Sequence, residues 1–203
     1  MPRDGTATRN ALLDAAQELI LDRGYAGTRV DDVLELAGTT KGGFFHHFAS
    51  KQDLAHALLE RFVQLDLQQL EATWDRADEL TRDPRERLLV FVGLYRELFV
   101  DLVEPFPGCL MGSYVAEAGL FDEHTMRMVE DDMRTWRARM LERIEEVAAL
   151  HPPRVDVDLE SLADMFTVVI EGAFIVSRVM GEPAVTANQL GHLRTYLEVL
   201  FPA

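Results

Sequence analysis

Apolar residues recur along this chain with the spacing of helices, and no stretch of useful length alternates with a period of two. Ala11, Leu12, Ala15, Ala16, Leu19 and Ile20 follow a 3.6-residue period up to Gly24, which reads as a left-handed C-terminal cap. A short helix over about residues 30–37 follows Thr28. Gly38 and Thr39 then make a tight turn, and Thr40 is placed to cap a third short helix ending near Phe48. Ser50 with Asp53 resembles a capping box opening a long fourth helix that reaches the region of Trp74. Further breaks fall at residues 81–84, 104–108, 151–153 and 181–183, where proline or glycine interrupts the pattern. Between them run two apolar stripes, one of Leu88, Phe91, Tyr95, Phe99 and Leu102, the other of Met126, Val129, Met133, Trp136, Met140 and Val147. Residues 162–180 are apolar nearly all round and call for cover on two sides, whereas Leu190, Leu193, Leu197 and Leu200 give the last helix one apolar face. The fold class expected is all-α, with about nine helices.

Composition narrows what such a bundle can be. The chain has 203 residues, 48% hydrophobic, enough for a substantial core. Its densest apolar stretch, residues 166–176, is interrupted by Glu171 and too short to span a bilayer, and MPRDGTATRN lacks the apolar core of a signal peptide. The single cysteine, Cys109, excludes an intrachain disulfide and a cysteine-cluster metal site. A cytoplasmic protein without a metal or cofactor is expected. The net charge of −15 would repel nucleic acid if it were spread evenly. It is not: residues 1–51 carry six basic and seven acidic side chains, and residues 36–52 hold no Asp or Glu at all. The remaining 14 basic and 28 acidic residues concentrate the negative charge in the later part of the chain.

Two short helices joined by a tight turn can place the second in a major groove, but they can equally form a packing corner. Three details favour the groove. The only two lysines, Lys41 and Lys51, each follow a candidate N-cap, where a cation opposes the helix dipole at a cost of about 0.3–1 kcal/mol unless a phosphate lies there. Gly42 and Gly43 sit inside a short helix, each costing roughly 1 kcal/mol against alanine, which close approach to a duplex would explain. Phe44 and Phe48, four residues apart, are placed to anchor the core, leaving Phe45, His46 and His47 to face outward.

Residues 6–66 resemble the DNA-binding domain of the TetR family of bacterial repressors, with matching spacing from the first helix through Gly24-Tyr25, Thr28, Ala37-Gly38, Lys41-Gly42, His47-Phe48, Ser50-Lys51 and Leu54. The resemblance implies that Thr28 and Lys51 clamp phosphates flanking the groove. It implies that Arg29, Thr39, Thr40, Gly43 and His46 lie near base edges, and Phe45 and His47 near the backbone. Two departures stand out: the family usually has tyrosine where Phe45 stands, and Gly43 replaces a position that often bears a side chain. Base readout then leans on Arg29, the threonines and DNA shape.

Residues 67–203 would form the family's ligand-binding and dimerisation domain. Pro107-Gly-Cys-Leu-Met-Gly-Ser113 resembles a subgroup with Gly-Cys-Leu at the start of the sixth helix. Seven of the eight methionines and both tryptophans lie in this part, and such side chains make adaptable apolar walls. Phe62, Phe91, Tyr95, Met111, Tyr114, Met133, Trp136, Phe166 and Ile170 are the candidate lining for a small-molecule effector, each of them also a candidate core residue. Asp164, Glu171 and Arg178 recur every seven residues, so an antiparallel symmetry mate crossing near Gly172 would pair Asp164 with Arg178 across a homodimer, with Leu193 and Leu197 of the last helix. Glu171 facing the ligand is the competing reading. Cys109, at a helix start, is either a small packed thiol or a redox-sensitive one.

These features predict a repressor that binds a palindromic double-stranded operator as a dimer and is released by a largely apolar effector. A ligand displacing the fourth helix, rooted at Lys51 and passing Phe62, would alter the spacing of two recognition helices. A helical adaptor that has lost DNA binding is the alternative. A di-iron enzyme is disfavoured, because Asp53-Leu-Ala-His56 occurs once and has no second copy.

Overall fold

The computed structural model describes residues 5–203, so Arg3 and Asp4 of the charge pattern lie outside the described residues. Among those residues it contains nine α-helices, one 3-10 turn and no strand. In chain order these are α1 (Gly5–Gly27), α2 (Val30–Ala37), α3 (Lys41–His47), α4 (Lys51–Leu80), α5 (Pro84–Glu97), α6 (Leu110–Ala116), the 3-10 turn Ala118–Leu120, α7 (Glu123–Leu150), α8 (Leu159–Met180) and α9 (Ala184–Leu200).

The caps explain the boundaries. Thr40 Oγ1 accepts from the Gly43 N–H at 3.2 Å and starts α3. Ser50 Oγ accepts from Asp53 N–H at 3.0 Å, while the Asp53 carboxylate takes the Ala49 N–H at 2.8 Å, which starts α4. Asp83 accepts from Glu86 N–H and Pro84 occupies the first turn of α5. Gly38 closes α2 in the left-handed conformation, φ 60° and ψ 38°. Gly24 behaves differently from the expected cap. Its φ of 80° is positive but its ψ is 167°, so α1 kinks there and resumes to Gly27.

The chain forms two compact units. The first comprises the described residues up to Leu65 together with Cys109–Glu130, and the second comprises Asp66–Gly108 and Asp131–Ala203. A single cut near residue 66 therefore does not describe the contacts, because α6 and the turn after it fold against α1 and the start of α4. Leu12, Leu13, Ile20, Val33, Phe44, Phe48, Leu54 and Leu58 are buried in the first unit. In the second, α9 packs on both α5 and α8, burying Leu88, Leu190, Leu193, Leu197 and Leu200. Arg85, itself buried, donates to the carbonyl of Phe201 at 2.5 Å and ties the end of α9 to the start of α5.

Candidate nucleic-acid interface and effector region

In the first unit, α2 and α3 pack on α1 through Val33, Leu34, Phe44 and Phe48. Phe44 is fully buried and touches Phe48 and, edge-on, Phe45. That anchoring turns the other side of α3 outward. Lys41, Gly42, Phe45 and His46 are exposed together with Thr40, and Thr39, Gly43 and His47 are half-buried beside them. Phe45 is 54% exposed, a large apolar ring in water on a seven-residue helix. Arg29, ahead of α2, is exposed and only loosely paired with Asp31 at 3.8 Å, a contact of little energetic weight. A methyl group on Gly43 would come within 2.7 Å of Thr39 Oγ1, so local packing is one reason for glycine there.

The two lysines have different surroundings. Lys41 is exposed, with no hydrogen bond or ion pair among the described residues. Lys51 is turned into the protein. Its ammonium donates to the Tyr25 carbonyl at 2.5 Å and lies 3.9 Å from the centre of the Tyr25 ring. Burial lowers its pKa from the ordinary lysine value, against the opposing pull of Glu117. Thr28 is buried too, its hydroxyl donating to the Gly24 carbonyl at 2.8 Å. The two residues expected to clamp phosphate thus brace the end of α1. Glu117 completes the brace by accepting from the Ala26 N–H at 2.7 Å. Tyr25 packs on Phe121, which stacks on Tyr114, whose hydroxyl donates to the Ala55 carbonyl at 2.7 Å. Nothing in the spacing of Glu117 or Tyr114 announced these partnerships, which join residues far apart in the chain.

The second unit gathers four of the expected effector-lining residues into one ring cluster. Phe91, Tyr95, Trp136 and Phe166 are all buried, Trp136 stacking on Phe166 at 5.6 Å and Tyr95 set edge-on to both. Trp74, outside the expected effector lining, stacks on Phe91 with centres 3.9 Å apart. Met133 and Ile170 are half-buried in the same unit, whereas Phe62, Met111 and Tyr114 belong to the first. Three polar groups accompany the rings. Asp66 accepts from the Trp136 indole N–H at 2.5 Å, and burial raises its pKa above the ordinary carboxylate value. Asp132 is 2% exposed, and burial, reinforced by Asp66, pushes its pKa up to about 7. Burial, with Asp66 nearby, also raises that of the Tyr95 hydroxyl. Asp132 was legible in principle: three residues after Val129 and four before Trp136, it lies on the apolar stripe of α7.

Two short helices packed on α1, with the outer face of the second exposed, match the arrangement that docks in a major groove. A family described as bacterial regulatory proteins, tetR family, matches residues 12–58, and one described as tetracyclin repressor-like, C-terminal domain, matches residues 84–193. The chain belongs to the tetR family. Its members are DNA-binding transcriptional regulators, not enzymes. The transcriptional regulator AcuR of Cereibacter sphaeroides is 26% identical over 185 residues, 89% of this chain and 80% of its own length. The HTH-type transcriptional repressor DhaR of a Mycobacterium species is 25% identical over 176 residues, covering 84% of this chain and 82% of its own. A TetR-family regulator from Agrobacterium tumefaciens shares the fold with a TM-score of 0.78 at 22% identity, covering 98% of this chain and 100% of its own.

Two of the residues expected at a tetR-type dimer interface, Leu193 and Leu197, need correction. Leu193 and Leu197 are buried within this chain, at 4% and 3% exposure, and are not available to a second copy. Asp164 is held by Arg137 through two hydrogen bonds of 2.7 and 2.8 Å, and Arg178 donates to the Pro107 carbonyl, so each half of the expected cross-pair is engaged at home. Gly172 is exposed with open space around it, and Glu171 is half-buried. Beside their polar residues, α8 and α9 expose the large apolar side chains Val168, Ile175, Val176, Val179, Met180, Tyr196 and Val199. Cys109 is half-buried at the start of α6. No helix among the described residues is long and apolar enough to cross a membrane.

Proposed function

We propose that this tetR-family chain is a repressor that binds a palindromic operator as a homodimer and is released by a small effector taken up by the second unit. The outward face of α3, with an exposed Lys41 one residue after the Thr40 cap, carries this reading. Phosphate is the partner that removes the penalty of a cation at a helix start, and it would be met by Lys41, Arg29 and the α3 backbone, with Thr39, Thr40, Gly42, Gly43, Phe45, His46 and His47 around them. Thr28 and Lys51 act by fixing the α1 corner on which α2 is set. The apolar face of α8 and α9 supports the dimer, because large apolar side chains left in water on two adjacent helices call for a covering surface. The cytoplasm, where DNA is, is the fitting compartment.

Selection of bound duplexes from a random pool, followed by mobility shifts across a salt series, tests the reading. Two half-sites about one helical turn apart and a steep fall of affinity with salt are the expected result. Failure to enrich any duplex would overturn it and favour the adaptor alternative, which the inward-turned Thr28 and Lys51 would then explain.

A further inference from the structure

The centre of the second unit holds polar groups that the protein itself does not satisfy. Neither carboxylate oxygen of Asp132 has a hydrogen-bond partner, nor does the indole N–H of Trp74. The Tyr95 hydroxyl also lacks a bond of good geometry, since nearby Thr73 already donates to the Gln69 carbonyl and accepts from the Gln69 amide. Asp66 adds a second carboxylate, bonded to Trp136. Among the described residues no arginine, lysine or histidine forms an ion pair with Asp66 or Asp132. Arg143 lies over the Trp74 ring, yet its guanidinium is committed to Asp78 and Glu146. Each unpaired buried group costs on the order of 1–3 kcal/mol, and what the Asp132 carboxylate lacks is a positive charge and N–H donors. Around it stand Trp74, Phe91, Trp136 and Phe166, whose ring faces attract cations.

We propose that this cluster is the effector site and that it takes an organic cation, a protonated amine or amidine on an apolar body. Its N–H groups donate to Asp132, Asp66 supplies the second negative charge, and the rings enclose the rest. This rests on the reading that the second unit holds the effector, and it names the ligand's chemistry. An inorganic ion is a poorer fit, because no group of three His, Cys, Asp or Glu among the described residues is arranged to hold one. A proton neutralises Asp132 but leaves its second oxygen unmet; a water supplies no charge.

Calorimetric titration of the full chain with phenethylamine and benzamidine, against phenethyl alcohol, benzamide and hydrocinnamate, separates these cases. At least one cation should bind about tenfold or more tightly than its neutral counterpart, and Asp132→Asn should lose that preference. The charged group that acts on Asp132 is Asp66 on α4, which is not cationic. Cation binding at pH 7 should therefore release a proton, visible as a dependence of the heat on buffer ionisation, and this release should vanish in Asp132→Asn. Circular dichroism checks that the variant is folded, and Asp66→Asn, which keeps the Trp136 bond, provides a second test of charge. Equal binding of cation and neutral analogue, no binding of either cation, or an unchanged Asp132→Asn would overturn the proposal. Mobility shifts on the same preparation keep it apart from the regulator reading: DNA binding without cation preference sinks this assignment alone.

Discussion

The two compact units treat buried polar groups differently. In the first, buried Thr28 and Tyr114 and half-buried Lys51 each donate to a backbone carbonyl and half-buried Glu117 takes up the Ala26 N–H, leaving Arg61 Nε, among the described residues, as the one buried side-chain atom there without a partner. In the second, six such atoms stand unpaired, on Trp74, Arg87, Tyr95, Asp132 and Thr186. A unit that meets a rigid duplex gains from a network that holds one geometry. On the function proposed above, the second unit meets a small molecule and gains from groups left for the ligand to satisfy.

Breaking the braced side of this contrast should have the largest effect. Gly24→Ala places a Cβ at a φ of 80° and against the Glu117 carboxylate that braces Ala26, and should cost about 3 kcal/mol in urea unfolding. A loss below about 1 kcal/mol would mean that the corner yields easily.

Next comes the unpaired side. Folded Asp132 keeps its proton up to about pH 7, whereas an unfolded aspartate loses it near pH 4. The native state therefore binds more protons between those values, and this residue's contribution to stability falls as pH rises from about 4 to 7 and is level above. Asp132→Asn should remove that slope, gaining stability above pH 7 and little at pH 4, as read from denaturation midpoints across pH. A gain independent of pH would separate Asp132's burial from its charge.

The lysines sharpen the contrast further. Lys41→Ala should weaken operator binding by about tenfold and reduce the salt slope by about one, with melting temperature unchanged. Lys51→Ala should cost about 1 kcal/mol of stability, because it removes the tie to the Tyr25 carbonyl. Were the two to behave alike, the inward and outward roles would be wrong. Smallest is Thr40→Ala, which removes the α3 cap at about 1 kcal/mol or less and should lower DNA affinity through a frayed helix.

Much of the fold was legible because it is decided locally. The 3.6-residue periods, the Thr40 cap, the Ser50–Asp53 pair and the Gly38 turn act between residues at most four apart, and they set α2, α3 and the start of α4 where the pattern puts them. The exposed face of α3 followed from Phe44 and Phe48 one turn apart. Other residues eluded the pattern because their partners are distant. Leu193 and Leu197 are apolar and periodic whether they cover this chain or a second copy, and only packing assigned them inward. Asp164 found Arg137 on another helix before it could serve a partner chain.

By itself, the sequence determined the helices, their caps and the family's DNA-binding element, since backbone geometry and one-turn contacts are written in consecutive residues. Only the tertiary structure decided that Lys51 closes on Tyr25 and that Asp132 lies buried near Asp66 without a counter-ion among the described residues. Charge and burial are pairwise quantities, fixed by which residues the packing brings together.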